Sequence, residues 1–335
     1  MLEVKNLSIG YGQKKSDPVI VQENLNFHIG KGEMICLLGP NGCGKSTLLR
    51  TLAGLQPSFK GDIQIDGRDL NHLTPKERAL LISLVLTDSI DQQSLKVIEL
   101  LALGRNPHTG FMGLLSEDDH KIIAQSLEQV QMTGYRDKIL SELSDGERQR
   151  IMIAKALAQD TPVIFLDEPT AHLDLPNRVE IMLLLHRLAR MTGKTIIIST
   201  HELELALQIA DRVFLMKKKK GLIIDIPEDM IIKGSLQEVF ENSSVRFDPY
   251  TGNFRMNHSG RVPVSLLSKG EGYRTIWTEK ALIRNGYFIQ SDTEIVIRVN
   301  EKRKEWELDT NDSSEIFNSI SGLLCALNDI KEKSL

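Results

Sequence analysis

Cysteine is scarce in this sequence. The three present, Cys36, Cys43 and Cys325, include no pair at metal-ligand spacing, which fits a reduced, cytoplasmic protein without a thiolate metal site. Long hydrophobic runs are missing as well. The longest, around Ile181 to Leu185, is interrupted by His186 and Arg187, so no membrane-spanning helix is expected. The first ten residues carry Glu3 and Lys5 and lack the apolar centre of a secretory signal. Sustained heptads are absent, which excludes a long coiled coil. Charge of one sign is barely in excess: a net charge of -4 makes no general case for nucleic acid. If the protein works at a membrane, it does so through a partner. With 335 residues, 41% hydrophobic and 26% charged, the chain is large enough for more than one ordinary globular domain.

The most informative stretch is Gly39-Pro40-Asn41-Gly42-Cys43-Gly44-Lys45-Ser46-Thr47. It fits G-x-x-x-x-G-K-[ST], and its setting matters more than the pattern. Before it, Met34-Ile35-Cys36-Leu37-Leu38 reads as a buried parallel strand. After it, Leu48-Leu49-Arg50-Thr51-Leu52-Ala53 reads as a helix start. Glycines let the backbone turn and aim N–H groups inward, and a helix N-terminus adds roughly half a positive charge. In this pattern Lys45 reaches the β- and γ-phosphates and the Ser46 hydroxyl holds Mg²⁺. Cys43 lies inside the loop, so alkylation there is expected to block nucleotide binding.

Leu2 to Ile29 reads as strands around a polar loop, Tyr11 to Pro18, with Tyr11 placed to stack on a base; the competing reading packs it on a strand end. Gly61 to Gly67 alternates like a half-buried strand. Residues 75–134 are mostly helical in pattern. Leu143-Ser144-Asp145-Gly146-Glu147 then opens a long helix, with Ser144 as N-cap and Glu147 completing a capping box; the same helix N-terminus is a second anion site. Pro162 to Glu168 is a buried strand ending in two carboxylates, which a buried strand does not carry without a reason. Asp167 suits Mg²⁺ and Glu168 suits polarising water. Thr195 to Thr200 is a further strand closed by His201, whose tip is expected to face the same crevice as Glu168.

With these motifs in this order and spacing, residues 1–258 resemble the ATP-binding subunit of an ABC transporter. The marks are the phosphate loop, the signature Leu143–Glu147, the pair Asp167-Glu168, Ala171-His172-Leu173-Asp174 as D-loop, and His201 as switch histidine. Leu103-Gly104-Arg105-Asn106-Pro107-His108, and Asp145 where most such proteins have glycine, resemble subunits serving iron–siderophore, haem and cobalamin importers. The resemblance implies an α/β P-loop NTPase of the ABC type: a parallel core sheet, an antiparallel β subdomain and a helical signature subdomain at about 88–160. It also implies an ATPase using ATP and Mg²⁺, with two copies pairing head to tail. Nucleotide-contacting residues are then Tyr11, Gly39, Pro40, Asn41, Gly42, Cys43, Gly44, Lys45, Ser46 and Thr47, with Ser144, Asp145, Gly146, Glu147 and Asp174 from the cap. Ser46, Asp167 and Thr87 are the metal set; Glu168 is the general base, assisted by His201 and Lys45. The family's glutamine before the helical subdomain is here Thr87, unless Gln92 or Gln93 swings in.

The expected setting is the cytoplasmic face of the cell membrane, with permease subunits as partners, a substrate-binding protein acting indirectly, and no nucleic acid. The alternatives are an importer of another cargo, a soluble ABC-type ATPase for cofactor assembly or translation, and a regulatory module that no longer turns over. Translation relatives carry two cassettes, and intact Glu168 and His201 argue against the regulatory module. Arg105 and His108 are expected at, or bracing, the face that receives the permease; the competing reading makes His108 a cap. Lys217 to Lys220 reads as a solvated turn between strands, and Ser235 to Glu241 as a short helix. Residues 259–335 read as a small α+β appendage, with helix at Thr278 to Asn285, strands at Glu294 to Val299 and Trp306 to Leu308, and a helical stripe Ile316, Ile320, Leu323, Leu327 and Ile330. No ligand motif stands out there.

Overall fold

A computed structural model describes residues 1–12, 19–86, 94–110, 113–218, 221–241, 245–256, 262–269, 272–311 and 313–333. The chain divides into two units. One comprises Met1–Glu241 with Phe247–Asn253, the other Asn242–Arg246 with Phe254–Leu335.

In the first unit, β1 (Leu2–Tyr11) and β2 (Val19–Ile29) lead into β3 (Met34–Leu38), a loop, and α1 (Lys45–Leu52). Then come β4 (Lys60–Ile65), β5 (Arg68–Asp69), α2 (Pro75–Ala79) and β6 (Ile82–Val85). The helices α3 (Val97–Gly104), α4 (Glu117–Gln129) and α5 (Asp145–Ala158) follow, and the chain returns through β7 (Val163–Asp167), α6 (Leu175–Thr192), β8 (Thr195–Ser199) and α7 (Leu203–Ile209). It closes with β9 (Arg212–Met216), β10 (Leu222–Asp225), α8 (Pro227–Ile232) and α9 (Ser235–Phe240). Strands in the order β2-β1-β4-β5 form an antiparallel sheet. Those in the order β10-β9-β3-β8-β7-β6 form the central sheet, parallel except for β10 at its edge.

The central strands β3, β7 and β8 are buried at every residue, which is why their sequences are unbroken apolar runs rather than alternating ones. Period-two geometry sorts their side chains between two cores. Ile35, Leu37, Val163, Phe165 and Ile197 face one core, shared with the antiparallel sheet and α1. Met34, Cys36, Ile164, Leu166, Ile196 and Ile198 face the other, shared with α5 and α6. After the polar loop, Val19–Ile29 forms a single strand, and Ile82–Val85 is a strand. Lys217 is not merely solvated; it pairs with Glu238 at 2.5 Å, whereas Lys219 and Lys220 lie outside the described residues.

β11 (Val245–Asp248) and β12 (Asn253–Met256) form a two-stranded sheet. The second unit then runs β13 (Val262–Lys269), α10 (Tyr273–Arg284), β14 (Tyr287–Ile289), β15 (Val296–Asn300), β16 (Glu305–Asp309), β17 (Ser314–Phe317) and α11 (Ile320–Lys333). Its sheet order is β14-β13-β15-β16-β17, with β13 parallel to both neighbours and the rest antiparallel. Val264, Ile297, Val299, Trp306 and Leu308 from the strands pack with Leu282, Leu323 and Leu327 from the helices. The buried Trp306 indole donates to Thr278 Oγ1 at 2.7 Å, as a buried indole N–H must find an acceptor. Ile316 belongs to β17 and is exposed, so the expected helical stripe begins only at Ile320. The helix read at Thr278 starts earlier, at Tyr273.

Candidate active site

The loop between β3 and α1 turns where only glycine turns easily. Gly44 has φ +108, and a Cβ there would meet Val21 Cγ1 at 2.5 Å; Gly39 has φ +152, and a Cβ there would meet the Met216 carbonyl at 2.6 Å. Both conformation and space therefore demand glycine. Lys45 is buried, and its ammonium donates to the Gly39 and Pro40 carbonyls at 2.8 and 3.4 Å, curled over the loop. Tyr11 ends β1 rather than sitting in a loop; its hydroxyl meets Thr47 Oγ1, and its ring is exposed.

Cys43 corrects an expectation. It is 1% exposed, packed into the core behind the loop, and burial pushes its thiol above the ordinary range. Fewer thiolates and no access both slow alkylation.

Two strand ends, those of β7 and β8, converge on the loop. Ser46 Oγ donates to Asp167 Oδ1 at 3.1 Å. The parallel register sets Asp167 beside Ser199, whose buried hydroxyl also donates to Asp167 Oδ1. The Glu168 N–H donates to both the Ser199 hydroxyl and its carbonyl, each at 3.1 Å. Glu168 itself has φ +48, a left-handed backbone unusual for a glutamate, and such conformations concentrate at functional sites. Its carboxylate lies 3.6 Å from His201 Nδ1, and His201 Nε2 lies 3.5 Å from Glu202. Glu168, Asp167, Ser46 and His201 thus share one crevice. Sequence reasoning missed Ser199; its only signal was its place two residues before His201, on a strand parallel to the acidic one.

A hydroxyl and a carboxylate oxygen side by side form a hard-oxygen pair of the kind Mg²⁺ takes together with substrate phosphates. Among the described residues no group of three or more His, Cys, Asp or Glu is placed to hold a metal ion. Thr87, Gln92 and Gln93 lie outside the described residues.

The second cluster is built separately, on the N-termini of α5 and α6. Ser144 caps α5 with the expected capping box: its N–H and hydroxyl reach Glu147 Oε2, each at 2.9 Å, and Glu147 N–H reaches back to it at 3.4 Å. Ser144 and Asp145 are exposed and Gly146 is buried. A Cβ on Gly146 would meet Asn177 Oδ1 at 2.8 Å. Asp174 caps α6 and accepts from Asn177 N and Nδ2 at 3.1 and 2.7 Å.

The stretch Gly104 to His108 turns out to clamp the far end of α5. A Cβ on Gly104 would meet the Lys155 carbonyl at 2.7 Å. Arg105 is buried, pairs with Asp119 at 2.7 Å and donates to the Ala158 carbonyl at 2.8 Å. His108 Nε2 lies 2.8 Å from the Gln159 carbonyl, a contact of the capping kind.

Residues 22–171 match the ABC transporter family, and residues 263–328 match the iron ABC transporter C-terminal domain. The chain is 38% identical to the petrobactin import ATP-binding protein FpuC of Bacillus anthracis, over 65% of this chain and 80% of that one. It is 35% identical to the iron(3+)-hydroxamate import ATP-binding protein FhuC of Bacillus subtilis, over 75% of this chain and 91% of that one. The dimeric post-hydrolysis structure of the ATP-binding cassette MJ0796, bound to ADP and Pi, superposes with a TM-score of 0.57 at 27% identity, covering 68% of this chain and 99% of that one. The chain belongs to the ABC transporter family, as an ATP-binding subunit that hydrolyses ATP to power transport through a membrane permease.

Proposed function

We propose that this subunit drives uptake of an iron–siderophore complex from the cytoplasmic face of the cell membrane, as two copies sandwiching two ATP molecules. The cargo class rests on the iron-type C-terminal match and on relatives named for iron(3+)-hydroxamate and petrobactin import. A substrate-binding protein hands the cargo to the permease. The unit Met1–Glu241 with Phe247–Asn253 is the motor and the unit Asn242–Arg246 with Phe254–Leu335 the appendage, a division a few residues before the expected one at 258.

The observation that carries the mechanism is the placing of Glu168 on a left-handed backbone beside His201 and next to the Asp167–Ser46 pair. The loop N–H groups and Lys45 bind the phosphates. Ser46 and Asp167 hold Mg²⁺, which when bound neutralises phosphate charge. Glu168 takes the proton of the attacking water, and His201 keeps water and γ-phosphate aligned. Ser144 and Gly146 of one copy cover the γ-phosphate held by the other, with Tyr11 against the base and Asp174 in the cap. Two copies related by a two-fold axis complete two sites at once.

A Glu168→Gln variant is expected to keep ATP affinity, lose about 10² or more in turnover, and accumulate MgATP-bound dimers. Wild-type turnover in that variant, or no stimulation of the permease-bound wild type by ferric siderophore, would refute the reading.

A further inference from the structure

Glu147 is the group that least suits a phosphate cap. A serine hydroxyl and helix N-terminal N–H groups attract an anion, while a nearby carboxylate repels it. The first turn of α5 carries two acids, Asp145 and Glu147.

Three donors converge on Glu147. Ser144 N–H and hydroxyl occupy Oε2, each at 2.9 Å, and the Tyr135 phenol donates to Oε1 at 2.5 Å. Tyr135 lies outside the signature run, in a one-turn helix at Thr133–Tyr135. Its half-buried ring packs against the core of the unit, and the Lys138 ammonium lies 4.1 Å from the ring centroid. The Tyr135 bond is the foremost of the causes holding the Glu147 carboxyl below its ordinary range, ahead of the bonds from Ser144.

The Ser144 hydroxyl has a single proton. While that proton serves Glu147, it cannot serve a phosphate oxygen. Turning it to phosphate removes one donor from a charged carboxylate, and the phenol keeps that carboxylate satisfied on its other oxygen. We propose that Tyr135 is a positioning residue of the cap: it holds Glu147 in place so that Ser144 can turn its proton to the nucleotide of a second copy. This rests on the head-to-tail reading above.

The test measures MgATP-driven dimerisation of the full-length Glu168→Gln protein by analytical ultracentrifugation, with and without Tyr135→Phe, and repeats the pair in a Glu147→Gln background. Phenylalanine keeps the ring and removes the donor; glutamine keeps a capping-box side chain and removes the charge. Tyr135→Phe is expected to weaken the dimer about tenfold, the scale of one charge-assisted hydrogen bond. Monomer affinity for ATP stays unchanged, and the dimerisation penalty disappears in the Glu147→Gln background, as coupled neighbours require. With Glu168 intact, Tyr135→Phe lowers kcat and leaves KM for ATP in place. A dimer as tight as the parent's overturns the proposal alone, and so does an equal penalty in both backgrounds, which marks a packing role. If the Glu168→Gln parent stays monomeric in saturating MgATP, the head-to-tail reading and the proposal fall together.

Discussion

Ser199 and Cys43 show how much one side chain's surroundings decide. Ser199 bridges Asp167, the acid proposed to hold Mg²⁺, and the backbone of the proposed base, so Ser199→Ala removes one donor from buried Asp167 and one of two acceptors from the Glu168 N–H. We expect kcat to fall about tenfold with little change in KM for ATP, the scale of one hydrogen bond to a charged group, and Ser199→Thr to recover most of it. A variant with unchanged steady-state kinetics would remove Ser199 from the site. For the thiols, burial holds Cys36 up at about 12 and Cys43 above its ordinary value, while Cys325 is exposed. Brief treatment with iodoacetamide is therefore expected to label Cys325 and spare the other two, with ATPase activity retained. Peptide mass spectrometry checks this, and early labelling of Cys43 would contradict it.

At the scale of elements, α5 is held at both ends. Its start is the capping box at Ser144, and its finish is gripped by Arg105, His108 and Gln159, the last also donating to the Ala79 and Ile82 carbonyls at 2.8 Å each. Breaking a buried pair by removing one partner leaves a charge uncompensated, so Arg105→Ala should cost about 3–5 kcal/mol in urea denaturation. The partner acid supplies a pH test. Bonds from the Ser116 hydroxyl and backbone, then from Arg105, hold the Asp119 carboxyl down at about 2. An unfolded Asp titrates near about 3.9, so the stability Asp119 contributes is present above that value and lost as pH falls towards 2. The gap in unfolding midpoint between wild type and Asp119→Asn should be full at pH 6 and shrink between about pH 4 and 2; a pH-independent gap would argue against this ionisation. The Gly104–His108 stretch was legible as a motif, but the clamp was not, because its acceptors lie about fifty residues away and only helix packing brings them near.

For the whole molecule, the separate hydrophobic cores of the two units matter most. Both tryptophans, Trp277 and Trp306, lie in the second unit, one exposed and one buried. Tryptophan fluorescence should therefore report unfolding of that unit, while nucleotide stabilises the other. ATP at a hundredfold excess over its Kd contributes about 2.7 kcal/mol to the state that binds it. We expect MgATP to raise the main calorimetric transition by several degrees and leave the tryptophan transition in place. Coincident, equally shifted transitions would show instead that the chain unfolds as one.

Residue order alone determined the phosphate loop, the acidic strand end, the capping box and the histidine-tipped strand, because each is a local pattern whose neighbours in sequence are its neighbours in space. Tertiary structure decided the rest. It set Ser199 opposite Asp167 across 32 residues, brought Tyr135 onto Glu147, sank Cys43 behind its own loop and put Ile316 into a strand. Register between distant strands depends on which faces are buried together, and no single segment carries that information.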